Sequence, residues 1–173
     1  SEYFIASSIH IERDTFLLPD SMGFEVGTLI EPLACVVHAI EKAGIKSGDR
    51  VVLIGTGAMG LMFIQALRAW GVRDLIIYEV LEWRKQKAVE FGADTVFTPS
   101  DDIEEESRRV KTHFGTDGAD KVIIAAKDLR AMDLGMRLVR KGGLVLFFAT
   151  PHPDEYVKLF PSYIFFNEIT ITS

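Results

Sequence analysis

Three glycines at the spacing G-x-G-x-x-G, Gly55, Gly57 and Gly60, stand between the apolar run Val51-Val52-Leu53-Ile54 and a stretch of helix formers over residues 61–70. The chemistry open to such a turn is phosphate binding. Gly55 permits a tight turn, Gly57 lets backbone approach a pyrophosphate, and Gly60 lets the following helix pack close to the strand. That helix would offer free N–H groups and the positive end of its dipole to an anion. Thr56, Ala58 and Met59 complete the turn. Glu79 extends the reading from phosphate to dinucleotide. It ends the apolar run Leu75-Ile76-Ile77-Tyr78, 19 residues after Gly60. An acid so placed accepts a hydrogen bond from a ribose 2′-hydroxyl. Its charge would repel the 2′-phosphate of NADP, so Glu79 favours NAD. Arg84, close behind, keeps NADP open, because three partners are within its reach: the adenine, Glu79 or a 2′-phosphate.

The remaining chemically capable side chains are weaker candidates. Glu31, Cys35 and His38 fall on one helix face at i, i+4 and i+3 spacing, which would suit a metal. The simpler expectation is a buried Cys35, a structural His38 and a Glu31 placed to complement a helix dipole. Asp101, Asp102, Glu104, Glu105 and Glu106 gather before Arg108, Arg109 and Lys111. This order matches a helix dipole and is read as a solvated face. His152 follows the fifth apolar run, where ligands bind in parallel sheets, and is more simply an exposed loop histidine. No Ser-His-Asp or paired-carboxylate arrangement stands out.

The elements that would position the glycine turn alternate in type. Residues 3–11 read as one or two short extended pieces. Glu31-Pro32 opens a helix with Pro32 at its first position. Strands follow at 51–54, 75–79, 95–97, 121–126, 144–149 and 169–172. Helices lie between them at about 58–70, 82–91, 101–114, 128–139 and 162–166, with Gly142-Gly143 as the stop of the fourth. Continuous apolar strands alternating with helices mean an α/β fold with a parallel sheet covered on both faces. Six strands in two halves predict a doubly wound Rossmann sheet in the order 3-2-1-4-5-6.

Composition narrows the partners. The 173 residues carry a net charge of −6, which disfavours a nucleic-acid partner. The single cysteine excludes an internal disulfide framework and a multi-cysteine metal site. No apolar run is long enough to suggest a membrane span. The start has no basic segment of a signal peptide, and a cytoplasmic setting is the default expectation.

Several segments together resemble the cofactor-binding domain of zinc-dependent medium-chain dehydrogenases, in the polyol, sorbitol and threonine dehydrogenase branch. They are residues 31–39 (EPLACVVHA), 48–60 (GDRVVLIGTGAMG), 88–94 (AVEFGAD), 142–145 (GGLV) and 167–171 (NEITI). The resemblance implies NAD(P)-dependent oxidation of a small alcohol or polyol, with hydride passing to the nicotinamide and a zinc ion polarising the alcohol. It implies that Glu31 matches a position at or near a zinc ligand, and it gives Cys35 and His38 no such role. It implies that residues 1–27 are the tail of a preceding GroES-like catalytic domain and that 28–173 form the dinucleotide-binding domain. It implies a homo-oligomer at full length, and an inactive chain when alone. Where the family has a small polar residue and a glycine after the fourth strand, Ala126 and Lys127 stand here. Two other readings compete: a non-catalytic nucleotide-sensing Rossmann module and a class I methyltransferase.

Overall fold

In the computed structural model residues 3–173 are described. The chain divides into two units, Ser1–Glu31 and Pro32–Ser173.

The first unit carries two short helices, α1 (Ser8–Arg13) and α2 (Phe24–Gly27), neither with a buried residue. The expected extended pieces over residues 3–11 therefore give way to a helix from Ser8 onward. The N–H groups of His10 and Ile11 both donate to the Ser7 carbonyl and close its first turn. An extended segment would need a partner strand for its backbone, and this unit contains none among the described residues. Helix α3 (Ile30–Lys42) begins two residues earlier than expected, so Pro32 is its third residue. The first-turn N–H groups of a helix have no intrahelical partner, so proline is tolerated there as well.

The second unit continues with β1 (Arg50–Ile54), α4 (Ala58–Ala69), β2 (Asp74–Tyr78), α5 (Glu82–Glu90) and β3 (Thr95–Phe97). It ends with α6 (Ile103–Phe114), β4 (Ala119–Ile124), α7 (Leu129–Leu138), β5 (Val139–Phe147), α8 (Pro161–Phe166) and β6 (Thr170–Thr172). The strands form one sheet in the order β3-β2-β1-β4-β5-β6, every pairing parallel. This is the predicted doubly wound sheet. Because consecutive strand residues face opposite sides, the core sorts into two layers. Val51, Leu53, Leu75 and Ile77 pack under α3, α4 and α5 through Ile40, Phe63, Ile64 and Ala88. Val52, Ile54, Ile76 and Ile124 pack under α6 and α7 through Val110, Met132 and Leu138.

Two local expectations are corrected. Gly142-Gly143 does not stop a helix. α7 ends at Leu138, and β5 begins at once, with Val139 opposite Ala119. The register then slips between Ala119 and Lys121, and the glycine pair lies in that irregular stretch, Gly142 at φ +67°. Cys35 is exposed rather than buried. The buried stripe of α3 is Val36, Ala39 and Ile40, at i, i+3 and i+4, which leaves positions 35 and 38 outside it.

At the N-terminal ends of the strands, Asp120 of β4 ties three strands together. Arg50 of β1 donates from its backbone N–H (2.9 Å) and Nε (2.7 Å) to Oδ2 and from Nη2 (3.0 Å) to Oδ1. Arg140 of β5 donates from Nε to Oδ1 at 2.5 Å. This clamp lies at the end of the sheet away from the glycine turn.

Candidate dinucleotide-binding site

β1 sits between β2 and β4, on either side of which the sheet winds in opposite directions, and ligands bind beyond the strand C-termini at such a point. A cavity of about 960 Å³ opens there, lined by Gly55, Gly57, Glu79, Arg84, Ser100 and Lys127 among others. The glycine turn forms one wall. Gly55 has φ +95°, a region glycine enters without strain. At Gly60 a Cβ would overlap the carbonyl oxygen of Gly55, so helix and turn touch through bare backbone. At Gly57 an added Cβ would meet nothing within 4 Å. Gly57 also caps α4 without any side-chain hydrogen bond. The first intrahelical bond runs from Leu61 N–H to the Gly57 carbonyl, leaving the first-turn N–H groups unpaired within the helix. Ala58 is exposed at this end, and Met59 packs against the core beneath α4.

Glu79 follows β2 and is 5% exposed. Its Oε2 accepts from the Thr56 N–H (2.9 Å) and the Thr56 hydroxyl (2.8 Å). Its Oε1 accepts from the N–H groups of Val80 (2.7 Å) and Leu81 (3.0 Å). Burial pushes its pKa up, but the hydrogen bonds from Leu81, Thr56 and Val80 outweigh burial and hold it below the ordinary carboxylate value. Glu79 therefore stays charged and braces the turn by gripping its second residue. Thr56 is fully buried beneath it. Its hydroxyl is a partner that the glycine spacing did not reveal.

Arg84 lines the same cavity. Of its three possible partners, Glu79 is not the one chosen, and the guanidinium lies 5.1 Å from the ring centroid of Trp83. Its Nε is buried with no hydrogen-bond partner. A buried donor left unpaired costs about 1–3 kcal/mol, which makes this atom a natural place for a ligand's acceptor.

The other candidates lie elsewhere. Glu31 and His38 are exposed on α3, and the described residues contain no group of three or more His, Cys, Asp or Glu side chains that would hold a metal. His152 is an exposed loop residue whose Nδ1 lies 3.4 Å from an Asp154 carboxylate oxygen. Glu106, read as part of a solvated acidic face, is fully buried. The signal that would have found it is the apolar stripe of α6: position 106 lies between Ile103 and Val110 at i+3 and i−4. The all-parallel sheet also removes the methyltransferase reading, whose sheet needs a terminal hairpin.

Comparison with known proteins agrees with this geometry. Residues 58–173 match the family described as zinc-binding dehydrogenase. The zinc-type alcohol dehydrogenase-like protein YdjJ of Escherichia coli (strain K12) is 31% identical over 149 residues, 86% of this chain and 42% of that protein. The sorbitol dehydrogenase of Bacillus subtilis (strain 168) is 30% identical over 158 residues, 90% of this chain and 43% of that enzyme. A solved structure from Sinorhizobium meliloti 1021, described as a zinc-binding dehydrogenase bound to NADP, superposes with TM-score 0.83 at 29% identity. It covers 91% of this chain and 46% of that one. The chain thus spans less than half the length of these relatives. With a parallel sheet in the expected order, a glycine turn at its switch point and a family match over most of the second unit, the chain belongs to the zinc-binding dehydrogenases.

Proposed function

We propose that the chain binds the nicotinamide dinucleotide of a zinc-dependent alcohol or polyol dehydrogenase that moves hydride from a secondary alcohol to the nicotinamide. The observation that carries this reading is the uneven packing of the glycine turn. Gly55 and Gly60 are filled by protein, whereas the space beside Gly57 is open and faces the uncapped end of α4. That is the space a pyrophosphate would enter, with the first-turn N–H groups of Ala58 and Met59 as donors. Glu79 faces the adenosine ribose in this reading, and the unpaired Nε of Arg84 supplies a donor beside it.

Glu79 is charged and buried beside the ribose position, so a 2′-phosphate would be repelled, while Arg84 offsets part of that repulsion. The expected result is that the chain binds NAD several-fold more tightly than NADP, as a net difference of about 1 kcal/mol implies. Isothermal titration calorimetry with both dinucleotides reads this directly. The reverse order would pass control of specificity to Arg84, and absence of binding by either would overturn the proposal.

The described residues do not fit a complete zinc site. In this reading the metal is held mainly by a part of the full-length enzyme that precedes α3, of which residues 1–27 are the tail. The exposed Phe4, Ile5, Phe16 and Leu17 are the kind of surface such a part would cover. Glu31 supplies one ligand at most. In the full-length enzyme, Glu31→Ala is expected to lower the zinc content measured by atomic emission. Unchanged zinc content and unchanged turnover would return Glu31 to its place in the first turn of α3.

A further inference from the structure

Behind the cavity wall stands a second carboxylate with no assigned role. The side chain of Glu106 is 0% exposed. Its Oε2 accepts from the Tyr78 hydroxyl at 2.8 Å, and its Oε1 accepts from the Ser100 N–H at 3.0 Å. Arg109, one turn on, donates from Nη1 to both oxygens at 3.1 and 3.2 Å, and its guanidinium lies 5.1 Å from the Phe97 ring centroid. Each carboxylate oxygen thus takes two donors, and the buried charge is fully matched. Burying such a pair gives little net stability compared with apolar packing. What it supplies is geometry, because a fully satisfied polar network admits one arrangement.

The geometry it sets belongs to the cavity. Tyr78 is the last residue of β2, directly before Glu79, and Ser100 lies in the connection from β3 to α6. Both line the cavity, as does Pro99, and Glu106 itself does not. Glu106 therefore joins the end of the strand that carries Glu79 to the facing segment 99–101.

We propose that Glu106 and Tyr78 are positioning residues for the adenosine end of the dinucleotide: through Ser100 they hold segment 99–101 as the wall against which the base packs. This rests on the dinucleotide reading above. It does not depend on which nicotinamide cofactor is preferred.

The test uses NADH fluorescence on the 173-residue chain, with 5′-AMP and inorganic pyrophosphate as competitors. Pyrophosphate probes the glycine turn without the base. Tyr78→Phe removes one hydroxyl and keeps the ring. It is expected to raise the dissociation constants of NADH and AMP about fivefold, as the loss of one hydrogen bond implies, and to leave that of pyrophosphate unchanged. Glu106→Gln keeps the side-chain volume and should act in the same selective way. If it does not yield folded protein, Tyr78→Phe decides alone. AMP binding unchanged in Tyr78→Phe overturns the proposal. An equal loss for AMP and pyrophosphate also overturns it, because that is the pattern of general loosening. Failure of the unaltered chain to bind NADH is a different outcome and removes the dinucleotide reading itself.

Discussion

Gly60→Ala is expected to remove dinucleotide binding, lowering affinity for NAD by more than about tenfold, and to destabilise the second unit by about 1–3 kcal/mol. The new methyl would overlap the Gly55 carbonyl oxygen and lie 3.0 Å from the Gly55 carbonyl carbon. Both are main-chain atoms of a turn that is itself fixed by Glu79 through Thr56. Neither side can yield by a rotamer change, so α4 must move away from β1 and carry its N-terminus with it. Gly57→Ala is the informative control. Its Cβ meets no protein atom within 4 Å, so thermal stability should stay near that of the unaltered chain, while NAD affinity is expected to fall, because in the proposed reading the methyl takes the space a pyrophosphate would enter. Calorimetric titration and thermal melts on the two variants give four readings. Wild-type NAD affinity in Gly60→Ala would show that the turn is not the binding element.

Asp120→Ala is expected to cost about 3 kcal/mol, the order found when one member of a largely buried ion pair is removed. The loss leaves the guanidinium groups of Arg50 and Arg140 without their shared carboxylate and unfastens β1, β4 and β5 at one end. Chemical denaturation at neutral pH measures it. The same residue gives the acid limb of stability its shape. Burial raises the Asp120 pKa, but the hydrogen bonds from Arg50 and Arg140 and the Arg50 charge outweigh burial and hold it well below the ordinary carboxylate value. A carboxyl whose pKa is lower folded than unfolded contributes fully above the unfolded value of about 3.9 and loses that contribution as pH falls through the folded one. Stability should therefore decline below about pH 4, and Asp120→Asn should flatten that decline. An acid limb equally steep in the variant would mean that other carboxylates dominate it.

Much of this molecule was legible from residue types because local and global signals agree. Val51 to Ile54 are apolar on both faces of the strand, as a doubly covered sheet requires, and Gly55 and Gly60 each have a separate steric reason. The misreadings share a cause: a side chain's surroundings are set by segments far away in the chain. Glu106 sits in an acidic run, and its burial is met by Arg109 from its own helix, by the nearby Ser100 N–H and by the Tyr78 hydroxyl, which arrives from β2. Gly142-Gly143 resembles a helix stop because the slipped register between β4 and β5 is a property of the pair of strands. Residues 8–11 have short-range strand character but, among the described residues of the first unit, no strand to join. For Glu79 its place at the end of β2 was visible, and its four internal donors were not.

Those four donors bear on how readily the site can be retargeted. An acid at this place is the obvious position to alter when a dehydrogenase is to be redirected from NAD to NADP. Here neutralising Glu79 would also strand the Thr56, Val80 and Leu81 N–H groups and release the glycine turn. In the proposed reading, preference for one dinucleotide and the shape of the phosphate cradle are thus tied to a single carboxylate, and an engineered change of cofactor is better sought at Arg84, whose Nε has no protein partner to lose.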